Sequence, residues 1–186
     1  MIVAGIDYSL NSPAIAVYDT NKEFIFSNIL LFNICKIKKY SGIFGNMNIV
    51  MPNIYTCDEE RYLNNAKWSL DILTKYKVEK VVVEGYSMGS NSGLIIQIAE
   101  NGSVLKQGLY LADIKYDNPS PKSVKKSFSG SGNAKKDEMV NQFVSRFGIN
   151  ISDIINQSNP YASPTNDLVD AIAMLDWGIK NNIFGE

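Results

Sequence analysis

Four acidic residues, Asp7, Glu84, Asp167 and Asp170, form the pattern best suited to chemistry in this 186-residue chain. Asp7 follows the mostly apolar run Ile2–Ile6 and Glu84 follows Val81-Val82-Val83, so each stands at the C-terminal end of a strand-like segment. Asp167 and Asp170 are three residues apart in a helix-like segment and therefore share a face. If the two strands are parallel neighbours, Asp7 and Glu84 leave the sheet at one edge with their chain positions ~4.8 Å apart. Docking the helix on that sheet brings the other two carboxylates toward the same edge. Four such groups with no base between them repel one another unless hard cations fill the gap. Mg²⁺ suits oxygen ligands, and two ions ~4 Å apart make a phosphoryl-transfer centre. Taken singly, each acid has an ordinary alternative: a turn residue for Asp7, a solvated strand end for Glu84, a partner of the helix dipole for Asp167.

The elements that must position these acids are readable in outline. Ile2–Ile6, Ala14–Tyr18 and Phe24–Leu31 read as strands joined by short polar turns, hence an antiparallel meander. From Cys35 to Thr56 the pattern is lost among lysines and glycines, and 35–57 reads as an excursion inserted at the sheet edge, ordered with a partner. A helix starts near Asp58, which caps it, with Leu63, Ala66, Leu70 and Leu73 on one face. Val81–Val83 is a strand buried on both faces, parallel to the first. Gly93–Leu109 is helical, with Leu94, Ile95, Ile98 and Leu105 on one side, and the next strand lies within Leu109–Tyr116. A short helix starts at Pro119–Pro121, a Gly-rich loop follows at Ser129–Gly132, and helices cover Ala134–Phe147 and about Asn166–Lys180. The sum is an α/β fold: a mixed central sheet of about five strands, a meander and then parallel strands, flanked by helices. Residues 1–186 read as one domain.

Composition bounds the rest. Hydrophobic residues make up 45% and charged residues 20%, as in a globular protein. Histidine is absent, which removes Ser-His and Cys-His nucleophile pairs and His-ligated zinc. Cys35 and Cys57 have no metal-like spacing, and with no basic leader and no apolar run of membrane length, a cytoplasmic setting is expected. The net charge of −1 hides an asymmetry. Lys115, Lys122, Lys125, Lys126, Lys135 and Lys136 are opposed between positions 115 and 136 by Asp117 alone. Such a stretch suits an anionic partner, or else is a solvated surface.

Gly-Ile-Asp-Tyr-Ser at 5–9, Val-Val-Glu-Gly at 82–85 and Asp-Leu-Val-Asp-Ala-Ile-Ala at 167–173 resemble the three acidic motifs of RuvC-type Holliday-junction resolvases, within the retroviral-integrase and RNase H-like superfamily. The segment between the last two motifs carries the most specific likeness: Pro121-Lys122-Ser123-Val124-Lys125-Lys126, then the Gly-rich loop and Ala134-Lys135-Lys136. The resemblance implies an RNase H-like fold and a homodimer with one active site for each of two strands of a four-way junction. It makes Asp7, Glu84, Asp167 and Asp170 the ligands of two Mg²⁺ ions, with Mn²⁺ as a substitute. It also sets Lys122, Lys125, Lys126, Lys135, Lys136 and Tyr86 on DNA, with Lys136 also neutralising transition-state charge. Hydrolysis would leave a 5′-phosphate and a 3′-hydroxyl, with no nucleotide cofactor. The helix at 93–109 is the expected dimer interface.

The chain departs from the family in two places. The family's junction-wedging aromatic follows the second acidic motif at a distance, whereas Tyr86 stands two residues after Glu84, ahead of a loop at Gly89–Gly93 that is less basic than in the family. The 35–57 excursion, with Lys36, Lys38, Lys39 and Tyr40, is extra and resembles what small viral versions would add. A phage-type resolvase acting on several branched DNAs is the expected version. Other RNase H-like nucleases acting on flaps or RNA–DNA hybrids would use the same acids. A non-catalytic branched-DNA binder would need only the lysines, and an actin-type ATPase would need a second phosphate loop and a longer chain.

Overall fold

The computed structural model describes residues 1–86 and 92–185. The first strand, β1 (Ile2–Asp7), is central: it pairs antiparallel with β2 (Ala14–Asp19) and parallel with β6 (Lys80–Val83). Outward from β2 lie β3 (Ile29–Ile34), β5 (Met47–Val50) and β4 (Gly42–Phe44), and outward from β6 lies β7 (Lys115–Asp117). Helices α1 (Asp58–Lys75) and α2 (Ser92–Leu111) cover one face. The other face carries α3 (Pro121–Ser129), α4 (Lys136–Phe147), α5 (Ile151–Ile154) and α6 (Thr165–Lys180). The period of two along the strands sorts the side chains between the two cores. Ala4, Ile6, Val81 and Val83 go to the α1 side, and Val3 and Val82 to the α6 side. Both Asp7 and Glu84 inherit the α6 side from that alternation. Among the described residues no helix is long and apolar enough to cross a membrane.

The sheet has seven strands among the described residues rather than about five. The added pair, β4 and β5, comes from the stretch read as an excursion. β5 runs parallel to β3, and Asn46 in the intervening turn donates from Nδ2 to the carbonyls of Phe26 and Ile29, both at 2.7 Å. Strands of three and four residues are too short to display an alternation, so this pairing leaves little trace in the sequence. The third strand begins at Ile29, later than expected, because Phe26–Asn28 is a turn of 3-10 helix. α2 continues through Leu111, which shortens the next strand to Lys115–Asp117. Cys57, not Asp58, occupies the N-cap of α1, and Glu60 accepts the Thr56 N–H at 2.7 Å. Ala66 and Leu73 face inward as expected, but Leu63 is 61% exposed, and Tyr62 and Ser69 complete the inward face. Leu94 is likewise 46% exposed. The loop expected at Gly89–Gly93 lies mostly outside the described residues.

Candidate active site

Register brings the first two acids together. Ile6 pairs with Val83, and the Glu84 N–H donates to the Ile6 carbonyl at 3.2 Å, so Asp7 and Glu84 stand side by side where β1 and β6 end. Asn118 fixes the exit of β6, donating from Nδ2 to the carbonyls of Val83 (2.8 Å) and Glu84 (3.0 Å). α6 supplies the other two acids because its backbone lies directly on β1. A Cβ on Gly5 would stand 2.4 Å from the Ala171 carbonyl oxygen and from the Leu175 nitrogen. Leu168, Ala171, Ile172 and Leu175 are fully buried along that contact, and Asp167 and Asp170 come with them to the acidic end.

Asp167 is held by groups that no sequence motif marked. The Ser163 hydroxyl donates to its Oδ2 at 2.5 Å, and Asn166 donates from Nδ2 to its Oδ1 at 2.9 Å. Ser12, in the β1–β2 loop, also acts to hold the pKa of this carboxylate down. Asn166 is therefore a buried partner inside the first turn of α6 and not its cap, which is Pro164. The only sequence signal for Ser163 is its place four residues before Asp167, one helical turn away.

All four carboxyls are harder to ionise than usual. For Asp7 the main cause is burial, followed by the charges of Glu84, Asp170 and Asp167, with Lys136 acting the other way. Burial raises Glu84, opposed by Lys125. Burial raises Asp167 as well, partly offset by the Ser163 hydrogen bond and the nearby Ser12 hydroxyl. Asp170 is pushed to about 7, by burial first and then by Glu84 and Asp167. A folded value above the unfolded 3.8 means that this group destabilises the metal-free protein as pH rises from about 4 to about 7. Asp170→Asn should therefore raise the melting temperature in EDTA at pH 8, by the equivalent of about 4 kcal/mol, and leave it nearly unchanged at pH 4. Equal melting of the two proteins at pH 8 would remove Asp170 from the cluster.

Two lysines of the basic segment reach the acids. Lys125 on α3 and Lys136 at the first position of α4 line a cavity of about 290 Å³ together with Glu84, Tyr86, Met139 and Asp170. α3 is anchored to α6 by the Trp177 indole N–H on Ser123 Oγ (3.1 Å) and by Lys180 on the Ser127 carbonyl (3.0 Å), which fixes Lys125 relative to Asp170. A lysine in the first turn of a helix opposes the helix dipole. Lys136 occupies that place because the acid cluster, and not the helix, supplies its favourable field. Lys122, Lys126 and Lys135 are exposed and line no part of the cavity, because α3 and α4 each turn one face to the site. Tyr86 lines the cavity, yet its ring lies against α2: its hydroxyl would meet a Cβ on Gly102 at 2.7 Å, and the Lys106 ammonium sits 4.4 Å from the ring centre.

Buried carboxylates that raise one another's pKa, with hard oxygen donors and no nitrogen or sulfur among them, fit a divalent hard cation. Among the described residues no three acidic, histidine or cysteine side chains already stand in metal-holding geometry.

No family model matches the chain. The crossover junction endodeoxyribonuclease RuvC of Brachyspira hyodysenteriae is 31% identical over 120 residues, which are 62% of this chain and 66% of that protein. The Thermus thermophilus RuvC structure superposes with a TM-score of 0.64 at 17% identity, covering 98% of this chain and 97% of that one. T. thermophilus RuvC in complex with a Holliday junction substrate gives 0.68 at 19% identity, covering 100% and 96%. The yeast mitochondrial Holliday junction resolvase Ydc2 gives 0.57 at 13%, covering 98% and 80%.

Proposed function

This chain belongs to the RuvC-type resolvase family, and on that premise we propose that it is an endonuclease resolving four-way DNA junctions and other branched DNA. The observation that carries the reading is the convergence of four carboxylates from β1, β6 and α6 beneath two lysines. Asp7, Glu84, Asp167 and Asp170 would hold Mg²⁺, or Mn²⁺ in its place, which supplies an activated water and neutralises charge on the leaving 3′-oxygen. Ser163 and Asn166 keep the Asp167 carboxylate in one orientation as the site fills. Lys125 and Lys136 present ammonium groups to the phosphodiester entering the cavity, and Lys136, whose charge bears on Asp7, Asp167 and Asp170 alike, offsets the charge that builds on the phosphate in hydrolysis. The products would be a 5′-phosphate and a 3′-hydroxyl. A homodimer would give paired nicks, and α2, with Leu94 and Ile96 46% and 59% exposed, supports the pairing surface.

The test is strand-mapped cleavage of a synthetic mobile four-way junction with Mg²⁺, beside flap and RNA–DNA hybrid substrates. Symmetrical nicks in the junction are expected, and cleavage of the hybrid alone would overturn the reading. Lys125→Ala should flatten log affinity against log salt by ~0.9, one phosphate contact's worth. Lys136→Ala should do the same and also slow cleavage under saturating protein by roughly 10-fold or more. Lys80→Ala is the control, since Lys80 sits at the opposite end of the sheet bonded to the Ile183 carbonyl, and it should change neither quantity.

A further inference from the structure

The edge of the sheet that carries the acids continues past them. β2 begins, and β3 and β5 end, at this edge: Asp7 is opposite Ala14, Ala14 opposite Asn33, and Ile34 opposite Val50. The added strands therefore lengthen the acidic edge on the side away from β6. Residues 35–57 contain Lys36, Lys38 and Lys39 and no acidic residue. Beyond the end of β5 a second cavity, of about 160 Å³, opens between the β1–β2 loop, the chain leaving β5 and the start of α1.

Two cations converge there on one neutral atom. Lys36 Nζ donates to Asn11 Oδ1 at 2.9 Å, and Arg61 Nη1 donates to the same oxygen at 3.4 Å. The two positive nitrogens thus lie less than ~7 Å apart with only an amide oxygen between them, and the Asp58 carboxylate on the far side of Arg61 offsets one of the two charges, leaving a net positive charge for an anion to meet. Arg61 is held in place for such an anion. Its side chain is 12% exposed, its other terminal nitrogen is paired with Asp58 at 2.8 Å, and its guanidinium carbon stands 5.5 Å from the ring centres of both Tyr55 and Tyr62. Among the described residues its Nε is buried without a partner. Tyr55 and Trp68 add aromatic walls to the cavity.

We propose that this cavity is a second DNA-backbone site, in which a phosphodiester of the bound DNA sits between Lys36 and Arg61 with its sugar and base against Tyr55 and Trp68. The proposal rests on the nuclease reading above for its ligand, and on the Lys36–Asn11–Arg61 arrangement for its place. Three sheet spacings separate β1 from β5, ~14 Å. For DNA crossing this edge, that is about four base pairs from the phosphate at the acids, at 3.4 Å per step. The aromatic walls suit a nucleotide whose base is unstacked, as at a branch point.

The test is junction binding by fluorescence anisotropy over a salt series in Ca²⁺, comparing wild type with Lys36→Ala, Arg61→Gln, Lys125→Ala and the control Lys67→Ala, whose lysine pairs with Asp71 on the outer face of α1. Lys36→Ala is expected to weaken binding several-fold and flatten the salt slope by ~0.9, with no change in the saturated cleavage rate. Arg61→Gln, checked for folding by its thermal melt, is expected to do the same. Ethylation of the phosphate about four positions from the cut should weaken wild-type binding and leave Lys36→Ala binding unchanged. If Lys36→Ala keeps the wild-type slope while Lys125→Ala loses its share, this second site is overturned and the nuclease reading stands. If wild type does not bind the junction at all, the nuclease reading fails first. Equal weakening by Lys36→Ala and Lys67→Ala, or tight binding of a free mononucleotide with no effect on DNA affinity, would also overturn the site.

Discussion

Replacing Asp7 by Asn is expected to abolish junction cleavage, by on the order of 10³-fold or more, while leaving the protein folded and able to bind DNA. Asp7 is the residue on which the cluster closes: Glu84, Asp170 and Asp167 all act on its carboxyl, and so does Lys136. The amide has nearly the same volume, so packing against α6 is retained. It cannot take the negative charge that a hard cation or the Lys136 ammonium needs opposite it. Removing a buried charge that costs energy in the metal-free state should also make Asp7→Asn melt no lower than wild type in EDTA. Junction affinity measured in Ca²⁺ should hold or rise, because one negative charge beside the DNA phosphates is gone. Purified Asp7→Asn protein that still nicks the junction at a wild-type rate would remove the four acids from the chemistry.

Gly5→Ala should have the largest effect on stability. The Cβ it adds would stand 2.4 Å from two backbone atoms of α6, the Ala171 oxygen and the Leu175 nitrogen, and 3.0 Å from the Leu175 Cα. No rotamer change relieves a clash between main chains, so the helix must move off β1 or the strand must bend. A cost above ~3 kcal/mol is expected, at or beyond the upper range of overpacking, or a fall in melting temperature of about 6–12 °C. Whatever fold survives would carry Asp167 and Asp170 displaced from Asp7, and a displacement of ~1 Å at such a site costs about 100-fold in rate. Gly93→Ala, whose added Cβ meets nothing within 4 Å among the described residues, is the matched control for stability and should leave the melting temperature unchanged. A Gly5→Ala protein that melts within ~2 °C of wild type would disprove the close approach.

The acids are legible in the sequence because each is tied to a strong local pattern. Val81–Val83 can only be a buried strand, Ile2–Ile6 is its natural neighbour, and the stripe Leu168, Ala171, Ile172, Leu175 turns Asp167 and Asp170 toward the sheet. Gly5 is legible as part of a motif, although its reason, the main-chain contact with α6, appears only in three dimensions. Lys125 and Lys136 separate from Lys122, Lys126 and Lys135 for a similar reason: the charge run is visible in the chain, but which face of α3 and α4 meets the site depends on how those helices dock. Ser12, Ser163 and Arg61 are not legible. Their partners lie in other loops or elements, or depend on the course of a loop, and nothing in their local spacing distinguishes them from ordinary polar residues. The β4–β5 pair escapes notice because its pairing is with β3, across the Lys36–Ser41 connection, and its strands are too short to show a period.

Those short strands also govern how copies of the chain can meet. Both rims of the sheet end in three-residue strands, β4 at Gly42–Phe44 and β7 at Lys115–Asp117, and β7 carries a charge at each end. An open rim offers unpaired N–H and carbonyl groups to any extended segment, and the hazard grows with the length of uninterrupted ladder. Had the sheet ended at β3, six residues of largely apolar strand would lie open along that rim. The hairpin replaces that rim with one half as long, too brief to template a neighbour. Copies of this protein that meet side by side are thereby steered away from strand-to-strand polymerisation.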